Sequence, residues 1–310
     1  MTMATGTSSR PARPGRWPRL LRPGTQDDPL VVVRSSTWNY NSIGLWSGDE
    51  VLLVDPGLSP AELELTATRA CTARRAGAPR RVAHLVLTHA HHDHLRGATA
   101  FPGARVWMPR IAARKPADAR ERILAAGERL SRRVRGEPGP LAWPTVDEEF
   151  EERARIRFGA GAELELWFLP GHSNCTSVVW LPAQRTLLSA DYLVSPGVPF
   201  CRHEASLFEG ALERLLALAA ELPIERVVPA HGDLLEGEEA VREALLLDLG
   251  VFRAMRACAE GLEPALPAAE AQERVVAAAT AFRGRGAGLL SAQDEDNAER
   301  VLREVRAARA

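Results

Sequence analysis

Thr88-His89-Ala90-His91-His92-Asp93-His94 follows directly on the apolar run Leu85-Val86-Leu87. A short β-rich run that ends in so many imidazole and carboxylate groups predicts a metal-binding turn at the end of a strand. The spacing of His89 and His91 lets two imidazoles of one extended segment share a face, because side chains two apart point the same way. Asp93 and His94 fall where a helix should begin, so they project at another angle and can serve a second ion. Three more candidates each sit just past a short apolar run: His172 in Pro170-Gly171-His172, Asp191 after Thr186-Leu187-Leu188-Ser189-Ala190, and His231 in Pro229-Ala230-His231-Gly232. Ligands of this kind, without thiolate, suit zinc and equally iron, manganese or cobalt.

Taken in order, His89, His91, Asp93, His94, His172, Asp191 and His231 resemble the signature of the metallo-β-lactamase superfamily, a His-x-His-x-Asp-His motif followed by a distant His, Asp and His. The resemblance runs from about Leu30 to Leu235 and includes Val51-Leu52-Leu53-Val54-Asp55-Pro56-Gly57, which is similar to the family's strand and Asp-x-Gly turn. It implies an α+β fold, a four-layer αββα sandwich with the metals at one edge. It also implies two zinc ions, with iron or manganese as substitutes: His89, His91 and His172 on the first, Asp93, His94 and His231 on the second, and Asp191 bridging them. The implied activity is that of a dinuclear zinc-dependent hydrolase, in which a metal-bridging hydroxide cleaves an ester, thioester, lactone or amide. Asp93 is then the catalytic group that orients the nucleophile and moves a proton. Asp55 is placed to accept a hydrogen bond from a ligand imidazole and fix its tautomer. Tyr192, Arg202 and His203, which follow Asp191, are candidates for substrate contact.

Within the superfamily, the chain is similar to the glyoxalase II branch in its metal motif, its helical C-terminal part and Phe208-Glu209-Gly210, although Pro199-Phe200-Cys201-Arg202 departs from that branch's glutathione loop. Histidine at position 91 departs from the glutamate usual in flavin-linked diiron reductases. Two alternatives stay open: a persulfide dioxygenase with a single iron on residues matching His89, His172 and Asp191, and a non-catalytic metal-binding protein of the same fold.

With 310 residues, 45% hydrophobic and 25% charged, the chain can bury a full core. A net charge of −1 supplies no field to recruit nucleic acid or an anionic membrane, which leaves a small-molecule substrate as the expected partner. No apolar run is long enough to span a bilayer. Cys71, Cys175, Cys201 and Cys258 lie far apart, which fits neither a disulfide framework nor a zinc knuckle and points to a cytoplasmic protein.

Residues 1–24 carry Arg10, Arg13, Arg16, Arg19 and Arg22 with no acid, and read as a disordered basic arm. Residues 25–235 read as the metallo-β-lactamase-like domain. From 236 to 310 the apolar pattern is helical, with breaks near 261–267 and 284–288, and predicts an extension packed on the sandwich. Helices are also expected at 60–76, 110–135 and 207–222. The segment 110–135 is rich in arginine, which suggests either a compensated surface or a lid that meets an anionic substrate.

Overall fold

The computed structural model describes residues 18–74, 76–195, 197–283 and 291–309. Two mixed sheets lie face to face. The first has seven strands in sequential order: β1 (Arg19–Pro23), β2 (Leu30–Arg34), β3 (Asn41–Ser47), β4 (Glu50–Val54), β5 (Arg81–Val86), β6 (Arg105–Pro109) and β7 (Glu148–Phe150). The second has six: β8 (Arg153–Phe158), β9 (Ala162–Phe168), β10 (Ser177–Leu181), β11 (Thr186–Ser195), β12 (Arg226–Gly232) and β13 (Leu235–Glu236), ordered β13-β12-β11-β10-β9-β8.

Period-two alternation sorts the apolar residues into layers. Leu30, Val32, Leu52 and Val54 of the first sheet meet Leu164, Leu166, Val179, Leu188 and Val228 of the second in the central core. Their sequence neighbours Val31, Val33, Val51 and Leu53 face outward, where Ala70 of α1 (Pro60–Thr72) covers them. On the other side, Trp167, Val178, Trp180, Leu187 and Val227 pack under α5 (Ala205–Glu221) and α6 (Glu238–Gly261). Strands with both faces apolar demand a helix layer on each outer side, which is the αββα sandwich.

Short helices α2 (His92–Leu95), α3 (Arg110–Ala113) and α4 (Ala117–Ser131) follow the edge of the first sheet. Lys115-Pro116 divides the helix expected over 110–135, since proline lacks the N–H a continuing helix needs. A hairpin at Ser47-Gly48-Asp49-Glu50 joins β3 to β4.

One expectation is corrected at the N-terminus. Arg19–Pro23 pairs antiparallel with β2, so the sandwich starts before residue 25 and the arm cannot extend to residue 24. Residues 1–17 of that arm, and the break expected at 284–288, lie outside the described residues.

The C-terminal helices α6, α7 (Ala268–Arg283) and α8 (Ser291–Arg309) join one core through Phe252, Met255, Val275, Val301 and Leu302. Buried among them, Arg283 holds Asp294 in a bidentate pair with both contacts at 2.6 Å. Asp248 of α6 is buried as well, and burial pushes its carboxyl well above the usual range while Arg283 pulls it back only in part. A carboxyl with a raised pKa in the fold stabilises below its unfolded value, and that stability is lost as pH rises through the folded value. Asp248→Asn is therefore expected to unfold at a higher temperature than the parent near pH 7, with the difference closing toward pH 4. Thermal melts across that range check this; equal midpoints at pH 7 would sink it.

Candidate metal centre

Every candidate ligand lies at one end of the sandwich. Thr88 to His91 leave β5 as an extended turn, and His91 precedes α2, which carries Asp93 and His94. His172 follows β9 through Gly171, where an added Cβ would stand 2.9 Å from Phe208 Cα and from the Tyr192 hydroxyl, so only glycine lets this turn close. In β11 the pairing with β12 shifts register between Leu188 and Ala190, and Ala190 adopts φ +50°. A left-handed alanine costs roughly 1–2 kcal/mol, and here it redirects the strand beside Asp191. His231 lies on the neighbouring strand β12.

These seven side chains form two groups. The first is His89, His91, His172 and Asp191, and the second Asp93, His94 and His231. His91 Nδ1 is 2.9 Å from His89 Nε2 and 3.0 Å from His172 Nε2, and Asp191 Oδ2 is 3.1 Å from His172 Nε2. Across the second group, His231 Nε2 is 3.3 Å from Asp93 Oδ2, and His94 Nε2 is 3.8 Å from it. The other oxygen of Asp191, Oδ1, lies 3.2 Å from His94 Nε2 and 3.8 Å from His231 Nε2. Each carboxylate oxygen of Asp191 thus faces a different group.

The histidine tautomers follow from the outer hydrogen bonds. His94 Nδ1 donates to Asp55 Oδ2 at 2.8 Å, His172 Nδ1 to Phe200 O at 2.5 Å, and His231 Nδ1 to Trp38 O at 3.0 Å. The Thr88 hydroxyl donates to Asp55 Oδ2 at 2.7 Å, which leaves its oxygen to accept from His89 Nδ1 at 3.1 Å. Four imidazoles are therefore held with Nδ1 protonated and the Nε2 lone pair turned inward. His91 turns Nδ1 inward instead.

Does a metal fit? Lone pairs 3 Å apart have no proton to share between them, and tetrahedral ligands at the usual zinc–nitrogen length lie about 3.3 Å from one another. Among the described residues, buried His94 Nε2 and Asp191 Oδ1 find no hydrogen-bond partner. Both facts suit a cation at each group.

The electrostatics agree. Burial, helped by the neighbouring imidazoles, holds His89 well below the usual range and pushes His91 down to about 3, so both stay neutral donors. Burial opposes ionisation of Asp93 and Asp191, but His94 with its histidine neighbours outweighs it and keeps both carboxyls well below the ordinary value. His94 moves the other way: burial disfavours its charge, yet Asp55, Asp191 and Asp93 raise it well above normal. In the metal-free centre, the carboxylates that a cation would otherwise neutralise favour the protonated forms of His94 and His231.

The centre opens into a cavity of about 630 Å³. Its walls include Trp38, Leu130, Val198 and Phe200, with the guanidinium-bearing Arg133 and Arg202. Of the expected substrate contacts, Arg202 lines this cavity. Tyr192 does not: it is fully buried, packs on Phe208, donates its hydroxyl hydrogen to Leu169 O and accepts from His172 N–H at 3.3 Å. Alternation along β11 explains the correction, since a residue next to Asp191 must face the opposite side. His203 is not among the residues that line this cavity, and its ring lies 3.6 Å from Glu204. His92 lines the mouth and packs edge-on against Trp38.

Thr88, and the carbonyls of Trp38 and Phe200, carry roles that sequence reading missed. Thr88 alone had a local signal, its place between the strand and the first ligand. Phe208 and Glu209, part of the similarity to glyoxalase II, are buried on α5, where Phe208 stacks on Phe252 and Glu209 pairs with Arg256.

Residues 37–231 match the sequence profile of the metallo-beta-lactamase superfamily, well over half of the chain. The protein belongs to that superfamily. No curated protein sequence matches it. Among solved structures it is similar to the stereoselective inverting sec-alkylsulfatase Pisa1 from Pseudomonas sp., with a TM-score of 0.66, 16% identity and coverage of 89% of this chain. The chain spans 48% of that sulfatase's length. A metallo-beta-lactamase family protein from Thermus thermophilus aligns with TM-score 0.59 at 20% identity over 89% of this chain and 93% of that one. A metallo-beta-lactamase from Pontibacter korlensis aligns with TM-score 0.53 at 21% identity over 75% and 98%. At these identities the likeness concerns the fold.

Proposed function

We propose that the protein is a dinuclear metal-dependent hydrolase of small-molecule esters, thioesters, lactones or amides. The observation that carries this reading is the meeting of two donor groups at the two oxygens of Asp191, on the floor of an open cavity. His89, His91 and His172 would hold one ion and Asp93, His94 and His231 the other, with Asp191 shared. Zinc in both positions would polarise the scissile carbonyl or ester group and acidify a water between them.

The chain's own groups supply the rest. Asp93, whose Oδ2 lies 3.3 Å from His231 Nε2 at the second ion position, would orient the attacking water and take its proton. Trp38, Leu130, Val198 and Phe200 offer an apolar wall, while Arg133 and Arg202 favour a substrate with an anionic end. Arg133 has no carboxylate partner among the described residues, whereas Arg202 is paired with exposed Asp296 at 2.9 Å. The four cysteines are free, as expected of a protein kept in a reducing cytoplasm.

The test is elemental analysis of protein purified without added metal, followed by a panel of esters, thioesters, lactones and amides, each with and without an anionic group. About two zinc ions per chain is the expected count for a two-metal site, with faster turnover of the anionic members. A single iron with oxygen uptake on a persulfide would replace the hydrolase by the dioxygenase reading, and no bound metal would leave only the fold.

A further inference from the structure

The stretch from Pro199 to Arg202 is bound on two sides in alternation. Asn297 Nδ2 donates to Pro199 O at 3.0 Å, and Cys201 N donates to Asn297 Oδ1 at 2.9 Å. Between those contacts, on the other side, Phe200 O accepts from His172 Nδ1, and Arg202 N then donates to His172 O at 2.7 Å. One asparagine amide thus binds the N–H of the very peptide whose carbonyl sets the His172 tautomer, together with the carbonyl of the peptide before it. Asn297 is fully buried and lies on α8, 98 positions beyond Pro199.

Neighbouring side chains of α8 extend this grip. Asp296 pairs with Arg202, Arg300 Nη1 donates to His203 O at 3.3 Å, and Glu304 accepts from the backbone N–H groups of Ala205 and Ser206 at the start of α5. Gln293, one turn earlier on the same helix, reaches the cavity wall. The opposite side of α8 is held by Ala298, Val301, Leu302 and Val305 in the helical core.

We infer that Asn297 is a positioning residue of the metal centre, fixing the Phe200 carbonyl so that His172 presents its Nε2 lone pair to the first ion position. This rests on the metal-centre reading above. A carbonyl free to rotate away would leave His172 able to protonate Nε2 or turn its ring, and loss of such an outer contact typically costs 10–100-fold in metal affinity.

The experiment titrates zinc into the full-length, metal-free protein against a chromophoric chelator, for the parent, Asn297→Ala, Asn297→Asp and Leu302→Ala. Leu302→Ala loosens the same helix through its core side without touching the loop. Asn297→Asp keeps the acceptor for Cys201 N but loses the donor to Pro199 O. Expected for Asn297→Ala is a fall of about 10–100-fold in one of the two zinc affinities, the other staying within about threefold. Asn297→Asp should fall by less, and it also serves if the alanine variant does not fold. Leu302→Ala should keep both affinities while melting at a lower temperature. Unchanged affinities in both Asn297 variants overturn the inference alone, as does an equal loss in Leu302→Ala. Failure of the parent to bind zinc overturns the metal-centre reading, and this inference with it.

Discussion

Asp191→Ala is expected to lose both metal ions and to lower hydrolysis by about three orders of magnitude or more, since nothing then acidifies the attacking water. No other candidate ligand faces both groups: Oδ2 lies 3.1 Å from His172 Nε2 and Oδ1 3.2 Å from His94 Nε2. Removing it takes one donor from each site and leaves Asp93 as the carboxylate that His94 and His231 share. Asp55→Asn provides the graded comparison, because it changes only what holds Thr88 and His94. There the expected loss is about 10–100-fold in metal affinity with the fold retained. Metal content by mass spectrometry and turnover on one working substrate decide the matter. An Asp191→Ala protein that keeps two ions and the parental rate is incompatible with the proposed site.

Zinc should also raise the stability of the protein by a large margin. Without metal, the centre confines the carboxyls of Asp93 and Asp191 among several imidazoles in a buried space, with no cation to balance them. A ligand that binds the folded chain alone stabilises it by about 4 kcal/mol at a thousandfold excess over its Kd, per site. Urea unfolding of chelator-treated protein, with and without added zinc, measures this. Asp191→Ala should show little zinc-dependent shift, and coincident transitions for the parent would argue that no ion binds the native centre.

The metal motif is written in short local patterns, each candidate ligand standing just past a short apolar run. Periodicity alone implies no more than a mixed α and β layered domain, and the four-layer sandwich was legible only through the family resemblance that the motif carries. What escaped reading was mostly distant or marginal. β7 and β13 are three and two residues long, and β1 is rich in arginine, so none shows the apolar run of a central strand. The placement of Tyr192 was a different kind of miss. Alternation from Asp191 already turned that side chain toward α5, and adjacency in sequence was mistaken for adjacency in the cavity. Asn297 could not have been found this way, since it meets its loop only after three C-terminal helices have packed and its own neighbourhood is an ordinary helical one.

The two groups of ligands are each divided between the sheets. His89, His91, Asp93 and His94 come from the end of the first sheet, whereas His172, Asp191 and His231 come from the second. Neither half of the chain can complete either group by itself. A metal ion bound at either group would therefore require both sheets docked in the right register and would act as a proofreader of that docking: a sandwich closed with its halves displaced would separate the donors and forfeit the binding free energy.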